Sequence, residues 1–311
     1  MSEQTLVSWL LEAKTPSIKY LTLRRLVELP ESDELVQAAQ QDMKSHGPIP
    51  EILAEQDDDG SWGGTVYSHK YTSSHWSMLL LTELAADTED PRLKRGADFM
   101  LELKWKFVHK FLNEKTHGLT CFWANLLRYS WYCGLASDVR TEKALSLVVN
   151  DALNFGWRCE YNHEYPCSWG AARALGALAA IPVEQRSDEI KAAIQSGLAF
   201  LLEEYDLSKV NYPNPPGRMT HTIWKHQNFP LFYQADILLV LRALLDLGKL
   251  DHPGAQNTLD WLEKRRTSEG RWPGSSPFRQ RTWEALGDHE ETNRWVSLHS
   301  TLVLKASGRS I

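Results

Sequence analysis

Gln56-Asp57-Asp58-Asp59-Gly60-Ser61-Trp62 separates two amphipathic segments of this 311-residue chain. The stretch Glu269-Gly270-Arg271-Trp272 repeats the Gly-x-Trp ending far downstream, again between two amphipathic segments. The first copy has the full pattern Gln-x-x-x-Gly-x-Trp, whereas the second has Arg266 in the place of the glutamine. Because both copies fall where a helix should end, the Gly-x-Trp pair indicates a repeated structural unit.

Apolar residues recur at helical spacing through most of the chain, and the predicted helices come in pairs. Period-2 alternation and Asn-Gly or Asp-Gly turns between apolar runs are absent. The predicted pairs are 18–26 with 48–56, 74–85 with 91–103, 121–135 with 139–153, 168–181 with 187–204, and 230–247 with 253–265. In each pair one helix is apolar nearly all round, as in 168–178, and the other has a charged face, as in 188–194.

Such pairs are each too small to bury their own apolar faces, so they predict stacked helical hairpins. Two further predicted helices, 5–12 and 295–305, would complete a sixth pair and close the stack into a ring. We therefore expect an all-α fold, an (α/α)6 toroid that forms one domain over 1–311. An open solenoid is the alternative architecture.

The repeat resembles that of the squalene cyclase and protein prenyltransferase superfamily, and the chain is similar to small bacterial proteins with this repeat. The resemblance rests on the two Gly-x-Trp stretches and implies a terpenoid cyclase-like toroid, but no particular reaction. Class II terpene cyclases protonate an alkene through an Asp-x-Asp-Asp motif. No such motif faces the predicted cavity, and Asp57-Asp58-Asp59 lies in the outer turn of the repeat. Squalene-type cyclisation is therefore not expected.

The composition is that of an ordinary globular protein, with 42% hydrophobic and 24% charged residues and a net charge of −6. No run of lysine and arginine forms a basic stripe, which argues against a nucleic-acid partner. No apolar run approaches the roughly 20 residues that a membrane-spanning helix needs. We expect a cytoplasmic protein whose four cysteines are free thiols, metal ligands or nucleophiles. The oligomeric state is not predicted.

Polar and aromatic residues cluster where the predicted inner helices begin and in the loops that precede them. In a toroid these positions surround one mouth of the central cavity, and such a mixture is typical of a small-molecule pocket. The candidate substrate-binding residues are Trp76, Trp123, Trp169, Trp224, Lys225, Arg281 and Trp283.

Three cysteines are the candidate metal ligands. Cys121 and Cys167 begin predicted inner helices, and Cys159 lies in the loop before Cys167. Cys133 lies about 18 Å further along its helix and cannot join them. Three thiols with a nearby histidine would suit zinc with one position open, and helix N-termini lower thiol pKa values, which favours ligation or nucleophilic attack. Ordinary buried thiols are the alternative.

The three histidines considered as partners for these thiols are His117, His163 and His226. Protein prenyltransferases hold a catalytic zinc at the mouth of a similar toroid through Asp, Cys and His. The resemblance therefore supports the location of a zinc site here, although the ligand set differs.

Asp236 is the leading catalytic candidate because it falls within the apolar segment 230–247, predicted as a helix. A buried carboxylate needs a partner, and Arg173 or Arg281 would serve. The pair is then either a structural ion pair or a general acid or base. The other catalytic candidates are Tyr233, His75 and His226.

Two function classes follow from this pattern. The first is an enzyme that acts on a small, partly apolar molecule in the toroid cavity, with or without zinc, through lyase, hydrolase or transferase chemistry. The second is a non-catalytic protein that binds a hydrophobic or isoprenoid ligand in the same cavity. A glycan-active barrel ranks last because Asp236 has no second carboxylate beside it in the predicted site.

Overall fold

The computed structural model describes residues 3–102, 117–204, 207 and 221–310, which are mostly helical. Up to residue 102 the helices are α1 (Glu3–Leu11), α2 (Pro16–Leu21), α3 (Glu34–Ser45), α4 (Pro48–Ala54), α5 (Ser74–Glu83) and α6 (Pro91–Leu101). The helices that follow are α7 (Thr120–Tyr132), α8 (Val139–Asn154), α9 (Ser168–Ala179), α10 (Asp188–Leu198), α11 (Ile237–Leu247), α12 (Gln256–Lys264) and α13 (His289–Ala306). Single π-helical turns, Thr22–Leu26 and Ala199–Glu203, extend α2 and α10.

The helical class predicted from the apolar spacing is confirmed, with one exception. A short antiparallel hairpin joins β1 (Arg158–Cys159) to β2 (Tyr165–Pro166). Strands of two residues are too short to show a period-2 pattern, so they could not be predicted from the sequence. Residue 103, the predicted end of the second helix in the pair 74–85 with 91–103, lies outside the described residues.

Two elements of the structure differ from the prediction. Helix α3 was not predicted, because only Val36, Ala39 and Met43 of its residues are buried and the rest are mostly polar. The helix predicted over 230–247 begins only at Ile237, and the residues before it are not helical. Several side chains bind the carbonyl groups of this non-helical segment: Asn125 donates to Phe232 O at 3.1 Å and Arg173 donates to Gln234 O at 2.6 Å.

The first Gly-x-Trp turn is fixed by its tryptophan and its glutamine. The Trp62 indole N–H donates to Ile52 O at 2.6 Å, and the Trp62 backbone N–H donates to Ser74 Oγ at 2.9 Å. Gln56 Nε2 donates to Arg92 O at 2.9 Å, which joins the turn to helix α6. The motif therefore ends helix α4 and ties it to the next two helices.

The second Gly-x-Trp turn repeats the tryptophan bonds of the first. The Trp272 indole N–H donates to Leu262 O at 2.8 Å, again ten residues earlier, and its backbone N–H donates to Ser297 Oγ at 2.9 Å. Arg266, which replaces the glutamine, places its guanidinium 5.9 Å from the centre of the Trp272 ring. The two stretches are thus structural as well as sequence repeats.

The helices pack in two classes, as their sequences predict. Helices α5, α7 and α9 are buried on nearly all sides, whereas α3, α6 and α12 bury one face only. Helix α9 packs between α7 and α11, α11 packs against α13, and α13 packs against α2 and its π turn. None of the helices in the described ranges is long and apolar enough to cross a membrane.

The first and last described helices meet through polar contacts. Trp9 Nε1 donates to Glu290 Oε1 at 2.9 Å. The Glu291 carboxylate accepts the backbone N–H groups of Lys14 at 3.1 Å and of Thr15 at 2.8 Å, and it pairs with Arg294 at 2.7 Å. These bonds hold the start of α2 against the start of α13.

A buried acidic side chain links three of the apolar helices. Glu83 at the end of α5 forms salt bridges with Arg128 of α7 at 2.8 Å and with Arg242 of α11 at 2.6 Å. Burial alone would raise the pKa of Glu83, but the two guanidinium groups hold it well below its usual range. Glu83 therefore stays ionised, as a buried charge with close partners does.

Candidate functional site

A cavity of about 710 Å³ opens beside the N-terminal ends of α7 and α9 and the β1–β2 hairpin. We call it the cysteine cavity. Its lining in the described part of the chain is aromatic and polar, and consists of Tyr67, Ser68, Lys70, Leu119, Cys121, Phe122, Cys159, Tyr161, Asn162, Cys167, Trp169 and Tyr233. Its volume is that of a small-molecule site.

All three candidate cysteines line this one cavity. Cys121 lies in the first turn of α7, Cys159 ends β1, and Cys167 is the N-cap of α9, where Gly170 N donates to its Sγ at 3.5 Å. Cys133, at the C-terminal end of α7, does not line the cavity. Convergence of the three thiols is therefore a property of the fold.

The Cys121 thiol does not have the lowered pKa that its place at a helix N-terminus led us to expect. Burial, together with the nearby Cys159, raises the pKa of Cys121 to about 12. A hydrogen bond with the Cys167 thiol and burial raise the pKa of Cys159 well above its ordinary value. For Cys121 the expectation was wrong, because the loss of hydration outweighs the effect of the backbone N–H groups on its thiol. Cys121 and Cys159 are protonated at neutral pH.

The donor set in the cavity does not fit zinc. Nowhere in residues 3–102, 117–204, 207 and 221–310 do three or more His, Cys, Asp or Glu side chains form a group that could hold a metal ion. The histidines considered as partners are elsewhere: His117 lies 2.8 Å from Glu164 Oε2, and His163 and His226 are exposed. The zinc site stays a prediction without support from this geometry.

Lys70 was not singled out from the sequence, yet it lines the cavity. Its Nζ lies 5.1 Å from the centre of the Tyr67 ring and 4.9 Å from that of the Tyr233 ring. Burial and the charge of Arg281 lower the pKa of Lys70. The two rings stabilise the ammonium form through cation–π contacts. Lys70 therefore brings a partly desolvated positive charge to an aromatic site.

Two of the predicted aromatic residues, Tyr233 and Trp169, form part of the wall. Their rings lie 5.9 Å apart between centres and meet edge to face. Burial and the neighbouring Tyr71 raise the pKa of Tyr233 to about 12, so its phenol is neutral. Its phenol already shares hydrogen bonds with the side chains of Tyr71 and Gln234.

Three further candidates lie in a layer behind the wall. His75 stacks on Phe122 at 4.6 Å between ring centres, and its Nδ1 lies 3.1 Å from Tyr129 Oη. Burial, followed by the charge of Arg173, lowers the pKa of His75 to about 3. Trp76 and Trp123 are also fully buried. These side chains support the wall and do not line the cavity.

Asp236 is a helix cap, which corrects its predicted position within a helix. Its Oδ1 accepts the Leu239 N–H at 2.7 Å, and its Oδ2 accepts both the backbone N–H and the side-chain amide of Asn228 at 2.8 Å. The predicted ion pair with Arg173 or Arg281 is not formed, since Asp236 has no salt bridge with any described residue. Burial raises the pKa of Asp236 to about 6.

The remaining candidates are spread over other parts of the molecule. Trp224 is buried and donates to Leu207 O at 3.4 Å, whereas Lys225 is exposed, as is His226 beside it. Arg281 lies on the surface with its guanidinium 5.3 Å from the centre of the Tyr71 ring. Trp283 donates to Ser77 Oγ at 3.3 Å. None of these side chains lines the cysteine cavity.

Comparison with known proteins adds no family to this description. No family model, curated protein or solved structure matches this chain. The chemistry of the cavity is therefore the guide to function. It combines aromatic rings, three thiols, the Tyr233 phenol and the Lys70 amine around one cavity.

Proposed function

We propose that this protein binds a small, partly apolar molecule with an anionic group in the cysteine cavity. The observation that carries the proposal is the lining of that cavity. Lys70 is the only charged side chain among the described residues that surround its volume of about 710 Å³, and aromatic rings make up much of the rest. Such a site offers apolar surface to the body of a ligand and one cation to its head group.

The position of Lys70 favours an anion over a neutral ligand. Its amine is partly buried, and no salt bridge to a described acidic residue neutralises it. Arg281 adds positive potential because its charge acts on Lys70. The Lys70 amine loses hydration energy when it is partly buried. Coulomb attraction to a carboxylate, sulfonate or phosphate in the cavity would offset that loss. Ligands with an aromatic or isoprenoid body and an acidic end suit this combination.

A fluorescent aromatic sulfonate, 8-anilinonaphthalene-1-sulfonate, tests the proposal directly. We expect saturable binding that weakens about tenfold in Lys70→Met, which corresponds to about 1.4 kcal/mol. Lys225→Met is the matched control, because Lys225 is exposed and does not line the cavity. The neutral analogue N-phenyl-1-naphthylamine should bind both variants equally. Equal sulfonate affinity in Lys70→Met and the native protein would refute the role of the charge.

A second candidate is an enzyme that acts on the same ligand class by lyase, hydrolase or transferase chemistry. The convergence of nucleophile-forming groups, three thiols and one amine, favours it. The activated ester 4-nitrophenyl acetate tests for a reactive thiol. An acylation burst that is lost in Cys121→Ser and kept in Cys133→Ser would support catalysis at the cavity. Absence of a burst in the native protein leaves ligand binding as the function.

We also propose that the helices form the closed (α/α)6 toroid implied by the superfamily resemblance. Three observations support it: α9 packs between α7 and α11, α13 packs against both α11 and α2, and Glu291 binds the start of α2. Helix α5 packs against α7 and α4. Small-angle X-ray scattering is the test, because an open solenoid is longer than a ring of the same mass. A maximum dimension typical of an extended superhelix would contradict closure.

A further inference from the structure

The β1–β2 hairpin brings two cysteines to the same side of the backbone. Cys159 pairs with Tyr165 across the hairpin, and Cys167 lies two residues beyond Tyr165. The Cys167 N–H donates to Trp157 O at 2.9 Å, so the antiparallel arrangement continues to this residue. Side chains two residues apart on a strand point to the same face. Both cysteines accordingly line the cysteine cavity.

The two sulfurs are close neighbours. The Cys159 thiol lies close enough to the Cys167 thiol to interact with it through a hydrogen bond, and none of the four cysteines forms a disulfide. Cys121 lies near enough for its thiol to interact electrostatically with Cys159. The hairpin therefore presents a dithiol to the cavity, with a third thiol beside it.

The other residues that line the cavity indicate which kind of sulfur-binding atom this dithiol would bind. Zinc needs about four ligands, most often thiolates and imidazoles, but no histidine or carboxylate is among the described residues that line the cavity. A trivalent arsenic centre that carries one organic group needs only two sulfurs, and soft centres prefer sulfur ligands. An aryl group on arsenic would also find Tyr161 and Trp169 in the lining.

We propose that Cys159 and Cys167 form a binding site for a trivalent organoarsenical, with arsenic bonded to both sulfurs and the aryl group in the cysteine cavity. The reaction is a condensation. An aryl arsenoxide, ArAs=O, and two thiols give ArAs(SR)₂ and water. Two As–S bonds replace the As=O bond, and both thiol protons leave in the water molecule. Arsenic stays trivalent, so no oxidant or reductant is needed.

Phenylarsine oxide in the presence of excess 2-mercaptoethanol tests the site, because a monothiol displaces singly bonded arsenic but competes poorly with a neighbouring dithiol. Native mass spectrometry counts the adducts. We expect one per chain in the native protein and in Cys133→Ser, and loss of the retained adduct in Cys159→Ser and Cys167→Ser. Cys167→Ser keeps an oxygen for the Gly170 N–H and so preserves the helix cap. A retained adduct in either dithiol variant, or none in the native protein, would overturn the proposal.

A protection experiment on the native protein makes the result independent of variant folding. N-ethylmaleimide is added after phenylarsine oxide, and the labelled cysteines are mapped by peptide mass. Cys159 and Cys167 should be protected, and 2,3-dimercaptopropanol should restore their labelling. Alkylation of either one in the presence of the arsenical would overturn the site.

This inference goes beyond the proposed function and shares only its cavity. Native protein that retains the arsenical but binds the aromatic sulfonate no better than its neutral analogue would keep the dithiol site and refute anion binding. Native protein that binds the sulfonate selectively but retains no arsenical would refute the dithiol site alone.

Discussion

Asp236→Ala distinguishes a capping role for this carboxylate from the catalytic role that its sequence context suggested. The substitution removes the acceptor of three hydrogen bonds, from the Leu239 N–H at 2.7 Å and from the backbone and side-chain amides of Asn228 at 2.8 Å. The Asn228 side chain keeps its other bonds, to Ile223 O at 2.9 Å and to His226 O at 2.6 Å. All three donors lose a buried acceptor.

The magnitude follows from these bonds. Loss of an N-cap costs about 1 kcal/mol, and each further buried donor left without its acceptor costs about 1 to 1.5 kcal/mol. At pH 5 we expect Asp236→Ala to lower the free energy of unfolding by about 3 to 4 kcal/mol. Because the folded-state pKa is raised to about 6 from 3.8, the stability from this carboxyl is complete below pH 4 and falls as the pH rises through 6. At pH 7.5 the difference should therefore be about 1.4 kcal/mol smaller.

Urea denaturation followed by far-ultraviolet circular dichroism gives both values, provided that the slope of the free energy against urea is unchanged. Asp33→Ala is the matched control, because Asp33 caps α3 at the surface with one bond, to Leu35 N at 2.9 Å. We expect it to cost about 1 kcal/mol or less. If Asp236→Ala unfolds as easily as Asp33→Ala, or if its effect does not depend on pH, the capping account fails.

Three shorter predictions concern other features. The pKa of His75 is lowered to about 3, so the stability that its neutral side chain contributes is complete above pH 6.5 and is lost as the pH falls. Between pH 7 and 5 the free energy of unfolding of the native protein should fall by about 2 kcal/mol relative to that of His75→Asn in urea titrations. Trp62→Phe and Trp272→Phe each leave one buried carbonyl without its donor and should each cost about 2 kcal/mol in the same assay; a difference of more than twofold would contradict their equivalence. Protein purified without chelator should carry far less than one zinc per chain by plasma mass spectrometry, and one zinc that is lost in Cys167→Ser would contradict this.

The repeat and the helix pairs were readable from the sequence because they depend on local periodicity and on one strongly favoured stop. Gly-x-Trp predicted the helix ends correctly. In both copies the indole N–H donates to a carbonyl group ten residues earlier, so the same structural need produces the same short sequence pattern. Asp138 is also held by a local bond: as the N-cap of α8 it accepts the Arg140 N–H at 2.8 Å. Local rules suffice at such positions.

The site was only partly predictable, because long-range contacts decide which side chains reach the cavity. The segment 230–236 has a helical pattern, yet Asn125 and Arg173 from other helices bind its carbonyl groups. It therefore stays non-helical, and Asp236 becomes a cap. Lys70 could not be singled out, because the residues around it in the sequence do not indicate that its amine will contact the rings of Tyr67 and Tyr233. Packing sets both outcomes.

The contacts between the first and last described helices can form only late in the synthesis of the chain. Glu290 and Glu291 bind partners 276 to 281 positions earlier in the chain. At about 5 to 20 residues per second, translation leaves α1 and α2 waiting for roughly 15 to 55 seconds before α13 is made. During that interval the nascent chain exposes apolar helix faces that α13 will later cover. Until α13 emerges, a ribosome-bound intermediate therefore carries exposed hydrophobic surface of the kind that makes folding intermediates prone to aggregation.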